Sequence, residues 1–284
     1  MLAENYFLIA LAFVWIIAAV AQDFRKREIA NWWNFSLIAV ALAYRFFLAV
    51  YLWNFFYLVY GLIGFAVFFA LANIFYYGRV FAGGDAKLLM GLGAVLPFSN
   101  LFFENLQIFL YFIILLMFAG SVYGLVYSIV LSAKHKKEFS KEFLKQFSKN
   151  KKIFKIFFVL AAVIFILTLL LGIFVHEYLF LYFALVAFAF PFLYSYAKAI
   201  EEACMIKEVS PKNLTIGDWL YEKVRVGRKI IKPNWEGLNE RELAILKKTK
   251  KKILVKEGIP FTPAFLIAFG VLIWMLKKGI LGLL

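Results

Sequence analysis

The 284-residue chain has one cysteine, two histidines and six prolines. Cys204 alone excludes an internal disulfide and any cysteine-based zinc site. His135 and His176 stand far apart with no spaced ligand set around either, so no metal or other cofactor is expected. Acids are scarce as well: 17 Asp and Glu stand against 32 Lys and Arg, a net charge of +15. Apolar residues are in excess. The chain is 64% hydrophobic and 20% aromatic, where a soluble domain is ~45–50% apolar. Its mean hydropathy is +0.83. That leaves too little polar surface to cover a water-exposed globule of this size. The class this defines is an all-α polytopic membrane protein.

Runs such as Phe109–Leu131 and Ile156–Val175 reach the ~20 residues needed to cross a bilayer. The expected spans are Tyr6–Gln22, Phe35–Leu52, Phe55–Tyr76, Asp85–Leu96, Leu106–Leu131, Ile153–Val175, Tyr178–Ala197 and Pro260–Leu276. The fourth is short for a full crossing and reads as a tilted or half-depth helix, so the count is seven or eight. The first run has no basic region before it and no small-residue cleavage site after it, and reads as a retained span.

Positive charge is unevenly placed. Eight lysines lie between Lys134 and Lys152, and a second basic block runs from Lys198 to Lys256. Basic loops mark the cytoplasmic side and face anionic lipid. Nucleic-acid binding is the other reading of such runs, but the positive-inside rule already accounts for them, so no nucleic-acid partner is expected. Arg25, Lys26, Arg27 and Arg79 fall on the same side, whereas the connections around Trp53-Asn54, Phe98–Glu104 and His176-Glu177 hold no Lys or Arg. The N-terminus is therefore expected outside. Lys277 and Lys278 count mildly against this orientation and can snorkel.

Four regions follow. Residues 1–131 are expected to form a membrane-embedded catalytic core. Residues 132–200 are a basic cytosolic loop with two spans, 201–258 a basic cytosolic segment and 259–284 a closing span. Within 201–258, Tyr221–Val226, Gly227-Arg228 and Lys229–Ile231 predict a hairpin with glycine at the turn. Asn239-Glu240-Arg241-Glu242 predicts a capped amphipathic helix.

Two acids sit where the setting disfavours them. Asp23 ends the first span, and Asp85 follows Gly83 and Gly84 at the start of the fourth. Acids in or beside membrane spans are rare and costly, and mark chemistry or ion movement. By the orientation above, both lie near the cytoplasmic interface. Two carboxyls sharing a proton and a water can hydrolyse a peptide. The ionised one takes a proton from water, and the protonated one polarises the scissile carbonyl. Plainer readings exist. Asp23 could be a juxtamembrane charge paired with Arg25 or Arg27, although a helix C-terminus disfavours an acid. Asp85 fits a helix N-cap. Gly83 and Gly84, without Cβ atoms, would let an extended substrate backbone come close. Asn31 flanks the first acid. Lys87, two residues past Asp85, does not share its helix face and reaches for the interface. Arg45, inside the second span, needs a partner or must snorkel.

At these residues the chain resembles the type IV prepilin peptidase family of Gly-x-Gly-Asp membrane aspartyl proteases, including the archaeal preflagellin peptidases. Asp23-Phe24-Arg25-Lys26-Arg27-Glu28-Ile29-Ala30-Asn31 looks like that family's first element and Ala82-Gly83-Gly84-Asp85-Ala86-Lys87 like its second. Ile259-Pro260-Phe261-Thr262-Pro263-Ala264-Phe265 resembles its last-span opening. Ala82 replaces a motif glycine, and Ala30 the usual proline. The resemblance implies Asp23 and Asp85 as catalytic residues, with Asn31, Gly83, Gly84 and Lys87 around the substrate. It implies precursors of pilin-like or archaellin subunits as substrates, cut in the cytoplasmic membrane near its inner face, with membrane lipids as surroundings. Bacterial members often carry a cysteine-rich insert and methylate the new N-terminus; Cys204 cannot supply that insert, so no methyl transfer is expected. The presenilin-like group shares the motif, but Gln22 stands here where it has tyrosine. Two other readings are a transporter or ion pathway using Asp23, Asp85 and Arg45, and a non-enzymatic scaffold using the basic blocks.

Overall fold

Apolar runs in this chain fold as helices, as a bilayer requires of any segment that must satisfy its own backbone hydrogen bonds. The computed structural model describes residues 4–175, 179–227, 229–249 and 251–281. The expected His176-Glu177 loop, Arg228 of the hairpin and Lys250 lie outside the described residues. The helices are α1 (Asn5–Lys26), α2 (Asn31–Tyr51), α3 (Phe56–Tyr77), α4 (Gly83–Val95) and α5 (Phe102–Lys134). After them come α6 (Lys136–Lys149), α7 (Lys151–Val175), α8 (Leu179–Cys204), α9 (Glu240–Leu246) and α10 (Thr262–Lys277). Six of these, α1, α2, α3, α5, α7 and α8, are long and apolar enough to cross a membrane. The shorter α4 and α10 account for the other two expected spans. The protein is a polytopic membrane protein.

The chain divides into two compact units, 1–126 with 259–284, and 127–258. In the first unit α4 is the central element, packed by α1, α2 and α3. Leu88, Leu89, Leu92, Ala94 and Val95 of α4 are fully buried. A Cβ on Gly64 of α3 would stand 2.2 Å from the Gly93 carbonyl oxygen of α4, and one on Gly93 would stand 2.6 Å from that of Gly64. The two backbones therefore touch, as small residues allow between membrane helices. α1 and α2 are clasped by indoles. Trp15 and Trp33 stack at 4.8 Å, and each donates its ring N–H to the other's carbonyl.

The 13 residues of α4 span about 20 Å at 1.5 Å per residue, less than the ~30 Å of bilayer hydrocarbon. Its C-terminal carbonyls end in the protein interior, where nothing in the helix can satisfy them. Arg45 of α2 meets them. Arg45 is 1% exposed, and its guanidinium donates to the carbonyls of Ala94 (2.7 Å), Val95 (2.8 Å), Pro97 (2.7 Å) and, more weakly, Tyr57 (3.3 Å). A cation at a helix C-terminus is also favoured by the helix dipole. Arg45 therefore neither snorkels nor joins the acids. It caps the far end of the helix that carries Asp85.

In the second unit the lysine-rich stretch expected as a loop is the helix α6. Phe139, Phe143 and Phe147 recur every fourth residue and share a face. Phe139 packs on Tyr196 of α8, and Phe147 on Phe154 of α7 and Phe192 of α8. Lys136, Lys137, Lys141, Lys145 and Lys149 are exposed. Past α8, β1 (Ile206–Val209), β2 (Trp219–Leu220), β3 (Val224–Val226), β4 (Lys229–Ile231) and β5 (Ile253–Lys256) form two small antiparallel sheets. β5 lies between β1 and β2, with Ile206 opposite Lys256 and Leu220 opposite Val255. β3 and β4 are the expected hairpin, turning at Gly227 with φ +60°. α9 starts with a full capping box, Asn239 accepting from the Glu242 amide and Glu242 from the Asn239 amide. Leu220, Ile231, Leu243, Leu246, Ile253 and Val255 join in this segment's core.

Candidate active site

Three helix ends of the first unit meet at one place. α1 stops at Lys26 because Arg27 adopts a left-handed conformation, φ +55°, and its N–H closes on the Asp23 carbonyl at 2.9 Å. The turn that follows is held by Gln22, whose side-chain oxygen accepts the Ala30 amide at 3.0 Å. Ile29, 3% exposed, is tucked against α4. A Cβ on Gly84 would lie 3.3 Å from the Ile29 side chain. The first acidic motif thus packs directly on the second, and that side of Gly84 is given to Ile29 rather than left open. The corresponding side of Gly83 faces Tyr76 at 3.7 Å.

Asp85 is the third residue of α4 and not its cap, since the N-cap is Ala82. The Ala82 backbone amide lies near the Asp85 carboxyl, as suits an acid at the third helical position. Burial of Asp85 (7% exposed) and Asp23 (8% exposed) is nearly equal. The two carboxyls are close enough to repel one another. The structure therefore brings together two acids that lie 62 positions apart in the chain.

Asp23 has a second set of neighbours, from the last-span opening that carries Thr262. Its Oδ2 accepts the Thr262 hydroxyl at 2.8 Å and the Thr262 amide at 3.2 Å. Thr262 is fully buried and is the first residue of α10. The dipole of α1 disfavours an acid at its C-terminal end, but the start of α10 supplies the compensating donors.

Two tethers join the start of α2 to the start of α4. Lys87 donates its ammonium to Asn31 Oδ1 at 2.6 Å, so these two motif residues meet. Asn34, one turn after Asn31, donates its amide to the Gly84 carbonyl at 3.2 Å. The spacing of Asn31 and Asn34 was the available clue, because residues three apart share a helix face. Arg45 lies at the opposite end of α4. Among the described residues no group of three or more His, Cys, Asp or Glu side chains could hold a metal ion.

The fold is that of a polytopic membrane protein, with two buried carboxyls within electrostatic reach of one another. Residues 10–129, which contain both acids, match the model of the type IV leader peptidase family. It is 33% identical over 86 residues to the preflagellin peptidase of Methanocaldococcus jannaschii, covering 30% of this chain and 36% of that protein. It is 32% identical over 82 residues to the preflagellin peptidase of Methanococcus maripaludis, covering 29% of this chain and 35% of that one. The matched stretch thus spans about a third of the length of these curated relatives. No solved structure matches the chain.

Proposed function

We propose that this protein is a membrane aspartyl endopeptidase that removes the short basic leader of pilin-like or archaellin precursors at the cytoplasmic face of the cell membrane. The observation that carries this is the meeting of two buried carboxyls, from α1 and α4, within the stretch that matches the leader peptidase family. In the reaction one carboxylate takes a proton from water, and the resulting hydroxide adds to the scissile carbonyl carbon. The other carboxyl gives its proton to the carbonyl oxygen. Collapse of the tetrahedral intermediate breaks the C–N bond, and a proton passes to the leaving amine. The substrate helix stays in the bilayer while its leader lies on the cytosolic side with the acids. The same reading makes residues 1–131 the catalytic core, and gives the exposed lysines of α6 and of 201–258 to contact with anionic lipid. Asn31, Gly83 and Lys87 flank the path of the substrate backbone.

The test is cleavage of a precursor by membranes containing Asp23→Asn or Asp85→Asn. Each change is expected to lower the rate by ~10²–10⁴-fold, the range for loss of a general acid or base. Full activity in either variant would rule the mechanism out.

A further inference from the structure

We propose that Thr262 is a positioning residue that fixes the division of labour between the two acids, making Asp23 the proton acceptor and Asp85 the proton donor. This rests on the aspartyl-protease reading above and adds an asymmetry that the two motifs alone do not contain.

A carboxyl oxygen has two lone pairs. At Asp23 Oδ2 both are engaged, one by the Thr262 hydroxyl at 2.8 Å and one by the Thr262 amide at 3.2 Å. An amide N–H can only donate, so Oδ2 is an acceptor whatever the hydroxyl does. With the hydroxyl also donating, no lone pair of Oδ2 is left to carry a proton. Thr262 has no solvent exposure, so water does not compete for these bonds. The amide is also one of the unpaired N–H groups of the first turn of α10, where a helix favours negative charge. Pro263, next in the chain, has no N–H to offer, which leaves Thr262 as the outermost amide donor of that turn. The hydrogen bonds that Asp23 receives from side chains and amides of the described residues all fall on Oδ2. Its Oδ1 is thus the edge that faces the reaction.

Asp85 differs. The Ala82 amide lies near its carboxyl, but among the described residues no hydroxyl–amide pair anchors it as Thr262 anchors Asp23, so one of its oxygens can hold the shared proton. The pair therefore enters the reaction with Asp23 ready to take the proton of water through Oδ1. Asp85 is ready to give its proton to the substrate carbonyl. Thr262 touches neither water nor substrate in this scheme. It acts through Asp23, by orienting the carboxyl and settling which oxygen stays bare.

The test uses the full chain in membranes or detergent, with a precursor as substrate and three variants. Thr262→Val keeps the shape and the amide but loses the hydroxyl. Its kcat is expected to fall by about 10²-fold, as for a misplaced reacting group, with KM little changed. Thr262→Ser restores the hydroxyl and is expected to recover most of kcat, which a purely structural role for the threonine methyl would not allow. A cycle of thermal midpoints for Thr262→Val, Asp23→Asn and the double variant reads the contact without any activity. The two changes are expected to be non-additive, since they remove two ends of one bond. If Thr262→Val keeps its kcat while Asp23→Asn and Asp85→Asn are inactive, the protease reading stands and the Thr262 proposal is overturned. Additive midpoints overturn it too. If Asp23→Asn keeps full activity, the protease reading itself fails and Thr262 has no acid to position.

Discussion

The two units of this protein use polar residues in opposite ways. In the second unit several charges sit at the surface in simple pairs, and Glu201 bridges Lys198 and Lys256 at 2.9 and 2.7 Å. Lys145 meets Glu142 at 3.0 Å and Lys252 meets Glu208 at 3.4 Å, both lysines being well exposed. Such pairs contribute ~0–1 kcal/mol each. In the first unit Asn5, Asp23, Asn34, Arg45, Asp85, Asn105 and Thr262 are all buried. Most of them bond to main chain at a break between helices. Asn5 donates to the Phe98 carbonyl, Asn105 bonds both backbone groups of Ser99, and Arg45 closes the end of α4. In an apolar chain, function therefore lies where polar side chains are buried. A lysine row on a helix is the ordinary cost of standing beside a membrane. A polar side chain inside the bundle must be matched by another group, and here the matched groups gather at the two ends of α4.

That contrast can be broken most severely at Arg45. Arg45→Met would strand the carbonyls of Ala94, Val95 and Pro97 in the interior, at about 1–3 kcal/mol for each unsatisfied group. Lys145→Met would remove one exposed pair and shift stability by less than ~1 kcal/mol. Thermal unfolding of the two variants in detergent measures both. Equal, small effects would mean that the cage on α4 is not what holds the helix. A subtler probe sits at the other end of α4. Lys87→Met and Asn31→Ala each remove one half of a partly exposed 2.6 Å contact. Because the Asn34–Gly84 tether remains, each is expected to lower precursor cleavage by less than ~10-fold, well below the loss from an acid–base group. An effect as large as that of Asp23→Asn would promote Lys87 or Asn31 into the chemistry.

How much of this was readable beforehand depended on how local the signal was. The capping box of α9 needs only Asn239 and Glu242, three residues apart, and it appears as read. The hairpin at Gly227 likewise needs a few neighbouring residues. The acids were found because an acid at the edge of an apolar run is conspicuous by its cost. α6 is hidden for a different reason: its lysines mark it as a basic loop, although Phe139, Phe143 and Phe147 have helical spacing. Arg45 was seen to need a partner, but main-chain carbonyls leave no mark in a sequence. Thr262 lies in the stretch that resembles a last-span opening, but its pairing with Asp23 leaves no mark in the sequence. It lies 239 positions from Asp23, and a threonine before a proline reads only as the opening of a helix.

The proposed chemistry requires Asp23 and Asp85 to face each other in the folded chain. With Cys204 replaced by Ala, cysteines placed at 23 and 85 can be bridged by a short bifunctional thiol reagent in native membranes. An intramolecular link is expected to form readily and to be lost when the chain is unfolded before treatment. Failure to bridge, in protein that still unfolds cooperatively and reacts at each cysteine singly, would contradict that chemistry.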